Sequence, residues 1–322
     1  MKKIFIYILC IVMVAMLIGC TKNDTISTPD EKINVVTTIY PIYDWVKNVG
    51  KDNVEVIYLL DNGVDLHNYQ VNAEDILKIN NSDLFIYVGG ESDEWVEDVL
   101  KDNTKTKTLN LMDEISDNLK EEELIEGMMD EEEEGDEDCE GIEYDEHIWL
   151  SLKNAIKCVD AINSRLCEID KKNMISYDNN AKNYIAKLSN LDDKFTSNLS
   201  NIVDKNKIVV FGDRFPFRYF VDDYGIKYFA AFKGCSAETE ASFETIKFLS
   251  EKIDEEGLTD IFIIEGSDGK IAKSIIDSTE NKDMNIRIVN SLQSINKNEI
   301  DKTSYIDIMS KNLEVFEEVL CK

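Results

Sequence analysis

Leu59 to Tyr69 reads LLDNGVDLHNY, and the rest of the chain can be placed from it. The apolar run VEVIYLL (Val54 to Leu60) leads into it. That run barely alternates, as expected of a strand buried on both faces of a parallel sheet. It stops at Asp61-Asn62-Gly63, a strong turn signal. His67 follows within a few residues, beyond the carboxyl end of the strand, which is the edge where open α/β sheets bind ligands. The chain has two histidines, and the second, His147, lies in YDEHIWLSL at another loop-to-helix junction. A single histidine is usually a surface or satisfied polar residue. Two, each just after carboxylates (Asp65; Asp145 and Glu146), point instead to a metal site, since imidazole and carboxylate are common ligands of zinc and manganese.

Outward from this stretch the alternation of strand and helix is regular. INVVTTIY (Ile33 to Tyr40) is a strand, and Pro41 opens a helix that stops at Gly50. Asn72 caps a helix to Asn80, DLFIYVGG (Asp83 to Gly90) is a strand, Glu94 to Lys101 a helix and Lys107 to Leu111 a short strand. Ser151 to Ile169 is helical. Residues 173–204 carry Tyr177, Ala181, Tyr184, Leu188, Leu191 and Phe195 at steps of three and four, with no glycine or proline. A helix of that length spans about 45 Å and suits a backbone between two lobes. A second α/β pattern follows, with strands at Lys207 to Gly212, Ile226 to Phe232, Asp260 to Gly266 and NIRIVNSL. Its helices run Phe217 to Tyr224, Ser242 to Glu256, Lys270 to Thr279 and Tyr305 to Cys321. The fold expected is therefore α/β: two parallel-sheet lobes, residues 33–172 and 205–322, joined by one long helix.

Charge and targeting narrow the function. With a net charge of -30 the chain is a poor partner for nucleic acid and a good one for cations. Residues 1–19 read as a signal peptide: Lys2 and Lys3, then an apolar Ile4 to Ile18 too short for a comfortable membrane span. They end in Leu17-Ile18-Gly19-Cys20, which resembles a lipobox, so Cys20 is the expected lipidation site and residues 20–32 a tether. The mature chain is then expected as a monomer anchored to the extracytoplasmic face of a bacterial membrane. Cys139, Cys158, Cys167, Cys235 and Cys321 are odd in number and show no disulfide framework. From Glu121 to Glu146 there are 16 acidic residues and no basic one, a composition that should stay solvated and mobile. Because it runs into His147, a cation-collecting role is the alternative.

Taken together, VVTTIYPIYDWVKNV, LLDNGVDLHNYQVNAEDI, DLFIYVGG, the acidic stretch before YDEHIWLSLKNA, VVFGDRFPFRYFVDDYGI, GCSAETEASFETI and IIEGSDGKIA resemble the zinc and manganese solute-binding lipoproteins of ABC importers. The resemblance spans essentially the whole mature chain. It implies a transport protein rather than an enzyme, a metal cleft between the lobes and a membrane permease as partner. Residue by residue, His67 and His147 match two family ligands and Glu265 the family carboxylate. The remaining family ligand is a histidine or glutamate before FxYxxxxYG, and that register falls on Arg214, which has no lone pair to give. Asp213, one residue away, is the expected replacement, with Arg214 pairing a carboxylate nearby and Cys235 a further candidate. Two histidines with carboxylates suit zinc or manganese, and the resemblance favours zinc, since the acidic stretch takes the place of the histidine-rich loop of many zinc-binding relatives; capture should weaken below about pH 6 as imidazole protonates. Other readings are a binder of metal chelates, using Arg214, Phe215, Phe217 and Arg218, and a secreted metallohydrolase with Asp65 or Glu146 as base. The chain contains neither HExxH nor GxSxG.

Overall fold

The computed structural model describes residues 32–61, 63–101, 103, 105–128, 143–200, 202, 207–236, 240–293 and 295–321. The signal segment, Cys20, most of the tether, Cys139 and the middle of the acidic stretch lie outside them. The first lobe runs β1 (Ile33–Thr37), α1 (Tyr40–Gly50), β2 (Val54–Tyr58), α2 (Ala73–Asn80), β3 (Leu84–Tyr87), α3 (Trp95–Leu100), β4 (Lys107–Asn110), α4 (Leu111–Glu114) and α5 (Leu152–Ile169). Then come α6 (Met174–Ser200) and the second lobe: β5 (Ile208–Phe215), α7 (Arg218–Tyr224), β6 (Lys227–Lys233), α8 (Phe243–Glu256), β7 (Asp260–Ile264), α9 (Lys270–Ser278), β8 (Asn285–Val289) and α10 (Tyr305–Leu320). The sheets have strand orders β2-β1-β3-β4 and β6-β5-β7-β8, and every pairing is parallel.

Local chemistry sets the boundaries. The first strand ends at Thr37, short of Tyr40, because Pro41 sits in the first turn of α1 and fixes helical φ there. Asn72 and Ser151 accept backbone N–H groups at the starts of α2 and α5, as capping residues do. Strand β5 runs three residues past the expected Gly212. Between Phe211 and Arg214 the register against β6 shifts, with Phe211 opposite Ala230 and Arg214 opposite Phe232. One extra residue is accommodated on β5, a bulge of the kind that re-aims side chains at a sheet edge.

The lobes are more than two bodies on a rod. Helix α6 buries Tyr177, Ala181, Tyr184, Leu188, Leu191, Phe195 and Leu199 along one stripe. The hydrophobic core that includes this stripe takes in residues of both lobes, from Val35 to Leu320. Helix α10, last in the chain, packs on α1 and α6. Trp45 and Tyr305 meet edge to face at 5.3 Å, and the Tyr305 hydroxyl donates to the Trp149 carbonyl at 2.6 Å. The Trp149 indole in turn donates to the Ser291 carbonyl at 2.7 Å. These buried polar links satisfy groups that would otherwise be costly to bury.

Candidate metal centre

His67, Glu265 and Gln293 lie past the carboxyl ends of β2, β7 and β8, Asp213 and Arg214 lie near the end of β5, and His147 leads into α5. His67 lies in a single helical turn, Leu66–Asn68, after β2. Asp65 caps that turn, its Oδ1 accepting from the His67 backbone N–H at 3.1 Å. The His67 ring meets the Ser92 hydroxyl through Nδ1 at 2.8 Å, so Nε2 is turned inward. His147 is fully buried. Asp145 Oδ1 accepts from its backbone N–H at 2.7 Å and pairs with its Nδ1 at 3.0 Å. With Nδ1–H donating to Asp145, the lone pair of His147 sits on Nε2. The two Nε2 atoms face each other at 3.2 Å.

That separation is informative. Two imidazole nitrogens that face each other need a proton or a metal ion between them. Two nitrogens bound to one tetrahedral zinc at about 2.0–2.1 Å stand about 3.3 Å apart. The pair is thus already at the spacing an ion requires. Burial, then the neighbouring His147, pushes His67 down to about 3. Burial also works against protonating His147, but the Asp145 carboxylate outweighs it and the value is raised. Two rings this close do not both hold a proton, and the one beside Asp145 keeps it.

The carboxylates expected as ligands, Asp213 and Glu265, line the cleft beside this pair. Among the described residues, the donor atoms that lie within 4.8 Å of one another belong to His67, His147 and Cys235. Asp213 is outside that group. It sits on the β5 bulge, its Oδ1 accepting from the Arg214 N–H at 2.9 Å and its Oδ2 from the Ile264 N–H at 3.3 Å. Each of its oxygens thus accepts one backbone N–H. Glu265 is held by Ser291, which donates through its backbone N–H at 2.6 Å and its hydroxyl at 2.7 Å. Arg214 does pair with a carboxylate, forming a salt bridge with Asp65. Burial raises Asp65, but the guanidinium overrides this and holds it below its ordinary value. Glu146 lies behind His67, with Oε1 accepting from the Ser92 N–H at 2.7 Å and Oε2 4.0 Å from His67 Nδ1.

Two further features complete the centre. Gln293 is fully buried, and its Nε2 lies 3.3 Å from His67 Nε2. Sequence reasoning missed it, because a glutamine carries no special signal; its place just after β8, at the same sheet edge, is the cue that was available. Cys235 follows β6 after Gly234. A Cβ on Gly234 would come within 2.8 Å of the His147 ring, so only glycine lets this turn lie against the imidazole. Beside the centre a cleft of about 920 Å³ opens, lined by Asp65, Asp213, Arg214, Glu265, Asp268 and Lys270 among others.

Two parallel α/β lobes joined by a long helix, with facing imidazoles in the cleft between them, define a class of metal-binding solute receptor. Residues 35–319 match the family of zinc-uptake complex component A, periplasmic, and the chain belongs to that family. It is 30% identical over 325 residues to the zinc-binding lipoprotein AdcA of Streptococcus pneumoniae, covering 99% of this chain and 61% of that one. The chain therefore spans about three fifths of that relative's length. It is 28% identical to the high-affinity zinc uptake system protein ZnuA of Bacillus subtilis, covering 98% of this chain and 97% of that one. The crystal structure of the Zn(II)-bound ZnuA-like domain of Streptococcus pneumoniae AdcA superposes with a TM-score of 0.71 at 27% identity, covering 91% of this chain and all of that one.

Proposed function

We propose that this protein is an extracytoplasmic zinc receptor, anchored through Cys20, that captures the ion between its lobes and delivers it to an ABC permease. It binds and releases its cargo without chemical change. The observation that carries this reading is the pair of imidazole nitrogens, held 3.2 Å apart by Asp145 on one side and Ser92 on the other. Such a pair needs a proton or a metal ion between its nitrogens, and the spacing fits tetrahedral zinc. The zinc-binding names of its relatives support the choice of cargo. Asp213 and Glu265 contribute negative charge from the cleft wall, while His67 and His147 grip the ion. Calorimetry of zinc binding to the mature protein tests this. His67→Ala and His147→Ala should each lower the affinity at least about a hundredfold, since each removes half of the nitrogen pair. Affinity as in the wild type for both variants would overturn the assignment.

A further inference from the structure

We propose that the Cys235 thiol is a zinc ligand, so that the ion is held by two imidazoles and a thiolate, with the amide oxygen of Gln293 at the fourth position. This deepens the zinc reading above and rests on it. Of the described cysteines, histidines and carboxylates, Cys235 is the residue whose ligating atom gathers with both histidines, all three atoms lying within 4.8 Å of one another. Asp213 and Glu265 lie outside that group, Asp213 accepting from the β5 and β7 backbone and Glu265 from Ser291.

The thiol is held there by construction. The turn that carries it packs on the His147 ring through Gly234, where a side chain would collide, and Ser236 on its far side is buried. Zinc bonded to nitrogen at about 2.0–2.1 Å and to sulfur at about 2.3 Å needs its donors about 3.3 to 3.6 Å apart. The nitrogens already meet this, and the thiol must move inward by little more than about 1 Å. Gln293 faces the same point from β8. Its Nε2 is 3.3 Å from His67 Nε2, while its Oε1 lies 3.4 Å from Ser291 Oγ. A half turn of the amide presents Oε1 to the ion. On binding, the ion displaces the thiol proton to solvent, as coordinating thiols are deprotonated outright.

The consequence is selectivity. Thiolate favours zinc and other thiophilic ions, whereas manganese prefers oxygen ligands. A centre of two imidazoles, a thiolate and an amide oxygen has no ionised carboxylate for manganese to use.

Cobalt(II) loading of the mature wild-type protein reads this directly. It should give the near-ultraviolet charge-transfer absorption of a cobalt–thiolate bond. Zinc should protect Cys235 from alkylation, followed by peptide mass, while the exposed Cys321 stays reactive. Cys235→Ser should lose the absorption and bind zinc about tenfold or more weakly, with a smaller change for manganese, narrowing the preference between them. Cobalt binding without a thiolate band, or unprotected Cys235 in zinc-loaded protein, would overturn the thiolate assignment and leave the histidine pair standing. A wild-type protein that binds no zinc would overturn both. The absorption and protection measurements use the wild-type chain, so they decide the matter even if the variant folds poorly.

Discussion

Asp145 bonds His147 twice through one oxygen, at the backbone N–H and at Nδ1, and so fixes both the ring and the nitrogen that carries its lone pair. Asp145→Asn keeps the shape and removes the charge that makes the ring basic. Zinc affinity should fall about tenfold to a hundredfold, the usual cost of losing such support; calorimetry that finds no change would assign Asp145 to structure alone. Asp93 offers a separate test. It is buried, one oxygen accepts from the Val88 and Gly89 N–H groups, and the other has no partner. Burial raises it to about 7. Between the ordinary carboxylate value and 7 the folded state therefore holds a proton the unfolded state has lost, and stability falls as pH rises through that window. Asp93→Asn should flatten this slope, gaining on the wild type between pH 5 and 8 in urea midpoints; parallel curves would contradict it. The histidines were legible in the sequence because their residue type is rare and each follows carboxylates in a loop, His67 after β2 and His147 before α5. Asp213 and Glu265 were legible as carboxylates at the sheet edge, but the groups that hold them were not, because a one-residue bulge and a serine two residues past β8 set their hydrogen bonds. Neither leaves a mark in the pattern of apolar residues.

At the scale of elements, helix and strand periodicity placed every major segment, and the errors lie at ends and in the acidic stretch. Composition suggested a solvated loop from Glu121 onward, yet its first part is docked. Glu121 bridges Tyr144, the Glu122 N–H donates to the Glu143 carbonyl at 2.9 Å, and Met128 is buried. Glu123 pairs with Arg218 at 3.0 Å, which ties this stem to the second lobe. Charge counting missed it because Leu124, Ile125 and Met128 are few among many acids. Gly127, at φ +87°, lies against Phe248, and a Cβ there would come within 1.9 Å of the ring. Gly127→Ala should therefore cost about 1–3 kcal/mol, as overpacking does, seen as a lower denaturation midpoint. Replacing only residues 129–142 by a short neutral linker should leave stability and equilibrium zinc affinity unchanged. It should slow zinc capture at low salt, where the field of the removed acids acts over tens of ångströms. Weaker binding at equilibrium would mean that the removed segment supplies a ligand.

For the whole molecule, the question is whether the two lobes behave as separate folding units. A long helix alone would let them open and unfold one at a time, and chains with two domains often depart from two-state unfolding. The seam argues against that. Besides the links through Trp149 and Tyr305, the Tyr58 hydroxyl donates to the Ile295 carbonyl at 2.9 Å and the Tyr40 hydroxyl to the Thr303 carbonyl at 3.0 Å. Four groups of the first lobe are thus bonded to the segment that leads from β8 into α10, and one hydrophobic core runs beneath them. The metal centre is built on this same segment, since Gln293 lies within it and His147 precedes Trp149. Zinc capture should accordingly need local movements at His67 and Cys235 rather than a swing of the lobes, and small-angle scattering should give the same radius of gyration with and without zinc. Unfolding should follow suit. Calorimetry of the metal-free protein should show one transition, with equal calorimetric and van't Hoff enthalpies. Tyr305→Phe leaves the buried Trp149 carbonyl without its donor and should lower stability by about 1–3 kcal/mol. Because the core still spans both lobes, the variant should keep a single transition. Two resolved transitions in the wild type would mean that the seam is too weak to couple the lobes, and the fixed geometry assigned to the histidine pair would then have to come from the first lobe alone.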